Sequence, residues 1–220
     1  MVPSRNIVFY KNNKSVEKGE MTMRNDNQQA GTSSSSERLF TAVRLSPEIR
    51  SRTGELCRAM SAELPFAKWT HAEDYHITLQ FLGDTPASDI PALIGSLKQA
   101  SEKMEPFTLT LQEPGTFGPP GAPRVLWAGV GGEKDALREL YARITGKTAA
   151  LGFTAENRPY SPHVTLARRY RGTEPFQSSK LEVWSNDEVF RMSWRVEEWV
   201  LFVTRMHNQP MYEVVESFRF

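Results

Sequence analysis

The sequence predicts an α+β fold built on antiparallel sheet, on three observations. β-rich and helical runs alternate, but irregularly. Many of the β-rich runs are joined by connections short enough for neighbouring strands to pair directly. No glycine-rich nucleotide fingerprint of the kind that opens a doubly wound parallel sheet occurs. The chain has 220 residues, 39% of them hydrophobic, enough for one large domain or two small lobes around a sizeable core.

Residues 1–37 are polar, rich in Asn, Lys, Gln and Ser, and end in four serines, Ser33 to Ser36. Too few apolar side chains are present to offset the entropy of ordering, so this stretch reads as a disordered N-terminal extension ahead of a domain over 38–220. Met21 and Met23 allow synthesis to start inside it. The first ordered run is Leu39 to Leu45, a strand stopped by Ser46-Pro47, where Ser caps and Pro opens a helix. Ile49, Leu56, Cys57, Met60 and Leu64 then recur at helical spacing. A loop runs through Pro65 and Trp69. Tyr75 to Leu82 reads as a strand closed by Gly83-Asp84, and Ile90 to about Met104 as a helix with Ile90, Leu93, Ile94 and Leu97 on its apolar side.

Phe107 to Leu111 and Val125 to Val130 are predicted strands, separated by the Gly/Pro-rich segment Pro114 to Pro123. Asp135 to Leu151 is predicted helical, with Leu137, Leu140, Tyr141 and Ile144 on one side and Gly152 placed to end it. His163 to Ala167 reads as a strand, and Leu181–Phe190, Trp199–Arg205 and Tyr212–Phe218 close the chain as β-rich runs.

Charge and special residues narrow the classes of function. Lys and Arg number 27 against 26 Asp and Glu, a formal net charge of +1. That excludes a strongly basic nucleic-acid coat or an acidic tail, while leaving room for a local basic patch. The single cysteine, Cys57, cannot form an intramolecular disulfide, and its place on an apolar helix side reads as core. The four histidines show no zinc spacing, so no metal is expected. No run approaches the roughly 18–20 apolar residues needed to span a bilayer, and the N-terminus lacks a secretory pattern. A soluble, cytoplasmic protein without membrane association is the expectation.

The informative feature is a repeat: His76-Ile77-Thr78-Leu79 and His163-Val164-Thr165-Leu166. In a strand, residues i and i+2 share a face about 6.6–6.8 Å apart, so each His stands beside its Thr while Ile77, Leu79, Val164 and Leu166 face a core. The same alternation assigns Gln80 to the polar face and Phe81 to the apolar one. One such strand is an ordinary half-buried strand with a polar solvent face. Two copies among four histidines, with matching apolar flanks, point to a shared purpose. His71 and His207 lack the Thr partner and read as surface or loop residues.

With Arg38-Leu39-Phe40 opening the domain, HITLQFLG over 76–83, PRVLWAGV over 123–130 and RPYSPHVTLAR over 158–168, the sequence resembles the 2H phosphoesterase superfamily. Within it, the chain is similar to the RNA 2',3'-cyclic phosphodiesterases, also called 2'-5' RNA ligases. The resemblance implies a bilobal fold: two pseudo-symmetric antiparallel lobes with outer helices enclosing a groove that carries one motif on each side. It implies RNA ending in a 2',3'-cyclic phosphate as substrate, hydrolysed to a 2'-phosphate, with the reverse 2'-5' ligation also open. His76 is implied as general acid to the 3'-oxygen and His163 as general base to water.

The residue chemistry fits that task. An imidazole titrating near pH 6.5 can accept a proton or donate one. Hydroxyls of Thr78 and Thr165 can donate to phosphoryl oxygens, where placed donors stabilise developing charge. No metal and no cofactor are expected. Arg168 can anchor a phosphate bidentately, and Arg168-Arg169-Tyr170-Arg171 is a local basic stretch. Phe40 and Tyr160 are candidates to stack on a base, whereas Trp127, in an apolar strand, reads as core. No obligate protein partner is evident, and a monomer is expected. Two other readings stay open: a 2H enzyme for small cyclic nucleotides or ADP-ribose cyclic phosphate, and a non-catalytic nucleotide- or RNA-binding module.

Overall fold

The two histidine strands come to lie side by side because segments far apart in sequence pair in one nine-stranded antiparallel sheet. A computed structural model describes residues 35–220, so all but the last three residues of the expected N-terminal extension lie outside the described residues. The strands are β1 (Ser36–Arg44), β2 (Phe66–Trp69), β3 (His76–Pro86), β4 (Phe107–Phe117), β5 (Val125–Gly132), β6 (His163–Tyr170), β7 (Ser193–Val196), β8 (Glu198–Thr204) and β9 (Tyr212–Arg219). Their order is β7-β4-β5-β6-β3-β1-β8-β9, with β2 pairing along the second half of β6. The strand expected from Leu39 begins at Ser36, where Ser36 and Glu37 pair with Pro86 and Thr85.

The principal helices are α1 (Pro47–Glu63), α2 (Ile90–Lys98), α3 (Lys134–Ala149) and the short α4 (Glu182–Ser185). Ser46 caps α1 as the sequence indicates, its hydroxyl accepting from the Ile49 amide at 3.3 Å, with Pro47 in the first turn. Gly152 follows α3 with φ of +89°, a conformation that favours glycine. Ile49, Met60, Leu93, Leu97, Leu137, Leu140 and Ile144 from α1 to α3 share one buried cluster with Ile77, Leu79, Val164 and Leu166 of the histidine strands. Each such side chain contributes roughly 1.5–3 kcal/mol on burial. The helices therefore cover one face of the sheet and leave the His/Thr face open.

Several expectations are corrected. Leu181 to Phe190 is not a strand: it forms 3-10 turns at Ser178–Leu181 and Glu188–Arg191 around α4. The Asp187 carboxylate accepts from the Val189 amide at 2.9 Å, a local bond that competes with any ladder. Helix α2 stops at Lys98 rather than near Met104, which frees Ser101 to accept the buried indole N–H of Trp199 at 2.7 Å. Strand β4 runs on through Pro114, whose missing N–H is accommodated where Glu113 bulges out of register with β5. Phe66–Trp69, expected as loop, is a strand against β6.

A second feature of register matters more for the site. Thr41 pairs with Gln80 but Ala42 pairs with Thr78, so Leu79 is an extra, bulged residue of β3. On β6, Ala167 pairs with Leu126 and Thr165 with Trp127, so Leu166 is bulged in the same way. Each motif thus carries its bulge at the residue after its threonine. The bulge reverses the alternation beyond it: Gln80 is 4% exposed and Phe81 54% exposed, the opposite of the sequence expectation.

Candidate active site

The two halves of the sheet meet at one registered pair, Ile77 with Val164. In an antiparallel pair centred there, His76 lies opposite Thr165 and Thr78 opposite His163. Both imidazoles and both hydroxyls are thereby brought onto the open face, each motif facing the other's partner residue. All four residues are half-buried.

Each ring is held by its own chain. His76 Nδ1 is 2.7 Å from the carbonyl of Asp74, and His163 Nδ1 is 2.8 Å from the carbonyl of Ser161. A carbonyl only accepts, so Nδ1 carries the hydrogen in both, and Nε2 is left to the groove. His76 Nε2 lies 3.1 Å from the Thr78 hydroxyl. With the neutral ring the hydroxyl donates to it.

The surroundings of the two rings differ. His76 sits among Phe40, Tyr212 and Phe202, with ring centroids 5.0, 5.1 and 5.9 Å away. Removal from water, opposed by the hydrogen bond to Asp74, pushes its pKa down to about 4. His163 packs edge-on against Phe117 at 4.9 Å, and burial lowers its pKa as well. The positive charge of Arg168 adds to the lowering of both.

The remaining sequence candidates are redistributed. Arg168 lines a cavity of about 550 Å³ together with His76 and Thr165. Its neighbours in the basic stretch do not extend that surface: neither Arg169, with φ of +61°, nor Arg171 lines the cavity, and Tyr170 packs against Phe66 and Phe176. Phe40 is corrected: only 2% exposed, it lies under His76 and offers no free face to a base. Tyr160 is covered on one face by Tyr141, stacked at 4.2 Å, and its hydroxyl donates to the Thr78 carbonyl at 3.2 Å. It fastens the 153–162 segment to β3.

Trp127 is also corrected, since its register opposite Thr165 puts it on the open face rather than in the core. It packs on Phe117 at 5.1 Å and over Gly115, where a Cβ would fall 2.4 Å from the indole. Cys57 is buried as expected, and desolvation raises its thiol pKa to about 11, which keeps it unreactive. His71 caps a 3-10 turn by accepting from the Glu73 amide at 3.3 Å. Both it and His207 line the cavity beside His76.

Sequence reasoning missed two groups of residues at this site. Phe81 reaches the open face only through the bulge, which plain alternation cannot reveal. Lys68, Met211 and Tyr212, which line the cavity beside Arg168, come from segments with no motif of their own. Among the described residues, no three His, Cys, Asp or Glu cluster in a way that could hold a metal ion.

An antiparallel sheet with one His-x-Thr motif on each side of its central seam is the architecture of a 2H phosphoesterase. Residues 63–208 match the family model of the 2'-5' RNA ligase superfamily, and the chain belongs to that superfamily. It is 39% identical over 180 residues to the RNA 2',3'-cyclic phosphodiesterase of Geobacillus stearothermophilus, covering 81% of this chain and 56% of that one. It thus spans little more than half the length of that relative. To the RNA 2',3'-cyclic phosphodiesterase of Bacillus subtilis it is 37% identical over 158 residues, covering 71% of this chain and 82% of that one. Among solved structures, Escherichia coli LigT complexed with 3'-AMP superposes with a TM-score of 0.65 at 26% identity, over 84% of this chain and 98% of LigT. Among the described residues no helix is long and apolar enough to cross a membrane.

Proposed function

We propose that the protein is an RNA 2',3'-cyclic phosphodiesterase that opens 3'-terminal cyclic phosphates to 2'-phosphates by general acid–base catalysis. The observation that carries this reading is the pair of imidazoles anchored alike through Nδ1 and presenting Nε2 across a single strand seam. A cyclic phosphodiester needs a water deprotonated on one side of phosphorus and a proton supplied on the other. Two fixed imidazoles with Nε2 turned to the groove can supply both.

In the reaction, Nε2 of neutral His163 takes a proton from water, and the water oxygen bonds to phosphorus opposite the 3'-oxygen. The bond from phosphorus to the 3'-oxygen breaks, and imidazolium His76 gives that oxygen its proton from Nε2. Burial holds His76 neutral in the free protein. Its acid role therefore draws on the substrate's anionic phosphate, which favours the imidazolium once it sits beside the ring. Thr78 and Thr165 donate to the non-bridging oxygens, and Arg168 offers its guanidinium to a phosphate of the RNA. Phe81, rather than Phe40, is the aromatic with a face free for a base. Ligation is the same step reversed, with an RNA 5'-hydroxyl replacing water. The same reading takes the protein as a cytoplasmic monomer.

The test is incubation with an oligoribonucleotide ending in a 2',3'-cyclic phosphate, in excess EDTA, with the phosphate position assigned by NMR. A 2'-phosphate from the wild type, with rates down by about 10²–10⁴ in each of His76→Ala and His163→Ala, is expected. Full turnover by either variant overturns the two-histidine mechanism.

A further inference from the structure

We infer that Lys68 and Arg168 form a second phosphate subsite, which engages the phosphate on the 5' side of the nucleoside that carries the cyclic phosphate. The inference rests on the proposed phosphodiesterase reading and narrows its substrate to RNA with at least two phosphates.

Lys68 on β2 and Arg168 on β6 are registered partners in an antiparallel pair. Directly opposite residues share a face with Cβ atoms about 4.5–5.5 Å apart, and like charges so placed repel. Cross-strand cations are normally relieved by an acidic neighbour. None of the ion pairs among the described residues involves either side chain.

The Lys68 ammonium donates to the thioether of Met211 at 3.2 Å, a weak acceptor that leaves its charge uncompensated. One carboxylate, Asp74, lines the same cavity, and both its oxygens accept from the Met211 amide at 3.0 Å and one from the Tyr212 amide at 3.1 Å.

Both cations line the cavity that also contains His76 and Thr165. Along β6 the order is His163, Thr165, then Arg168, and the Leu166 bulge turns Arg168 onto the same open face. A strand of RNA whose terminal cyclic phosphate lies between the histidines meets the two cations next. The ligand that relieves their repulsion is an anion, and the only anions an RNA strand offers there are its backbone phosphates. A guanidinium and an ammonium facing one another suit a single phosphate, one bidentate and one as a point charge.

The test compares a nucleoside 2',3'-cyclic phosphate with the same nucleotide bearing an added 5'-phosphate, in wild type, Lys68→Ala and Lys68→Arg. The wild type is expected to prefer the second substrate by about tenfold in kcat/KM. Lys68→Ala should bring that preference close to one and shallow the salt dependence by about one phosphate contact. Lys68→Arg should keep the preference. A wild type indifferent to the 5'-phosphate, or a preference unchanged in Lys68→Ala, overturns the subsite while leaving the phosphodiesterase reading standing. Absence of turnover on both substrates and on the cyclic-phosphate oligoribonucleotide overturns the reading beneath it, and the inference with it.

Discussion

His76 shows at the scale of one residue how packing sets chemistry. Its position in a His-x-Thr pair was legible in the sequence, but its aromatic surroundings were not, because Phe202 and Tyr212 come from β8 and β9, more than a hundred residues away. Those rings hold the imidazole neutral, and this has a thermodynamic consequence. The pKa is about 4 in the folded protein and near 6.5 in the unfolded chain. Between these values the unfolded state binds more protons, so the stabilising contribution is present above pH 6.5 and is lost as pH falls toward 4. Urea unfolding at pH 7, 6 and 5 should show wild-type stability falling more steeply than that of His76→Gln, by at most about 1.4 kcal/mol per pH unit. Parallel slopes for the two proteins would show that the folded state does not depress this histidine.

Strand and helix existence was largely readable from periodicity and capping, as at Ser46-Pro47 and Gly152 at the ends of α1 and α3. What was lost lay where a local interaction or a bulge overrides the period. Ser185, Asn186 and Asp187 broke an apolar run into turns, and Leu79 moved Gln80 from the solvent face to the core. Gln80 is tolerated there because the buried Thr148 hydroxyl of α3 donates to its side-chain carbonyl at 2.8 Å. Its amide nitrogen has no partner. Removing one member of such a pair costs the desolvation of the other: Thr148→Val strips the Gln80 amide oxygen of its donor, whereas in Gln80→Leu the Thr148 hydroxyl keeps the Thr145 carbonyl at 3.2 Å. Thr148→Val is therefore expected to destabilise by about 1–3 kcal/mol, and Gln80→Leu by much less, measured by chemical denaturation. A larger loss in Gln80→Leu would mean that the bond stabilises rather than merely satisfies.

Over the whole molecule, the groove exists because β3 and β6 touch at Ile77 and Val164 and each half of the sheet brings one motif to that seam. The pairing of distant motifs was visible in the sequence only as a repeat; which residues the seam sets opposite one another required the register. If both histidines act from one chain, mixing His76→Ala with His163→Ala should restore no turnover at any ratio. Recovery of up to about a quarter of wild-type activity, the statistical share of intact sites in exchanged dimers, would instead mean that the site is completed between two chains.

The bulges at Leu79 and Leu166 give each histidine strand a parity. Counting outward from His76 or His163, even steps reach the groove as far as the threonine, and odd steps reach it beyond the leucine. Straightening β3 at Leu79 with every residue kept would hand Gln80 to the groove and Phe81 to the core. Straightening β6 at Leu166 would likewise drive the Arg168 guanidinium into packed hydrocarbon. The two bulges, rather than the alternation of residue types, thus set what each strand presents past its threonine.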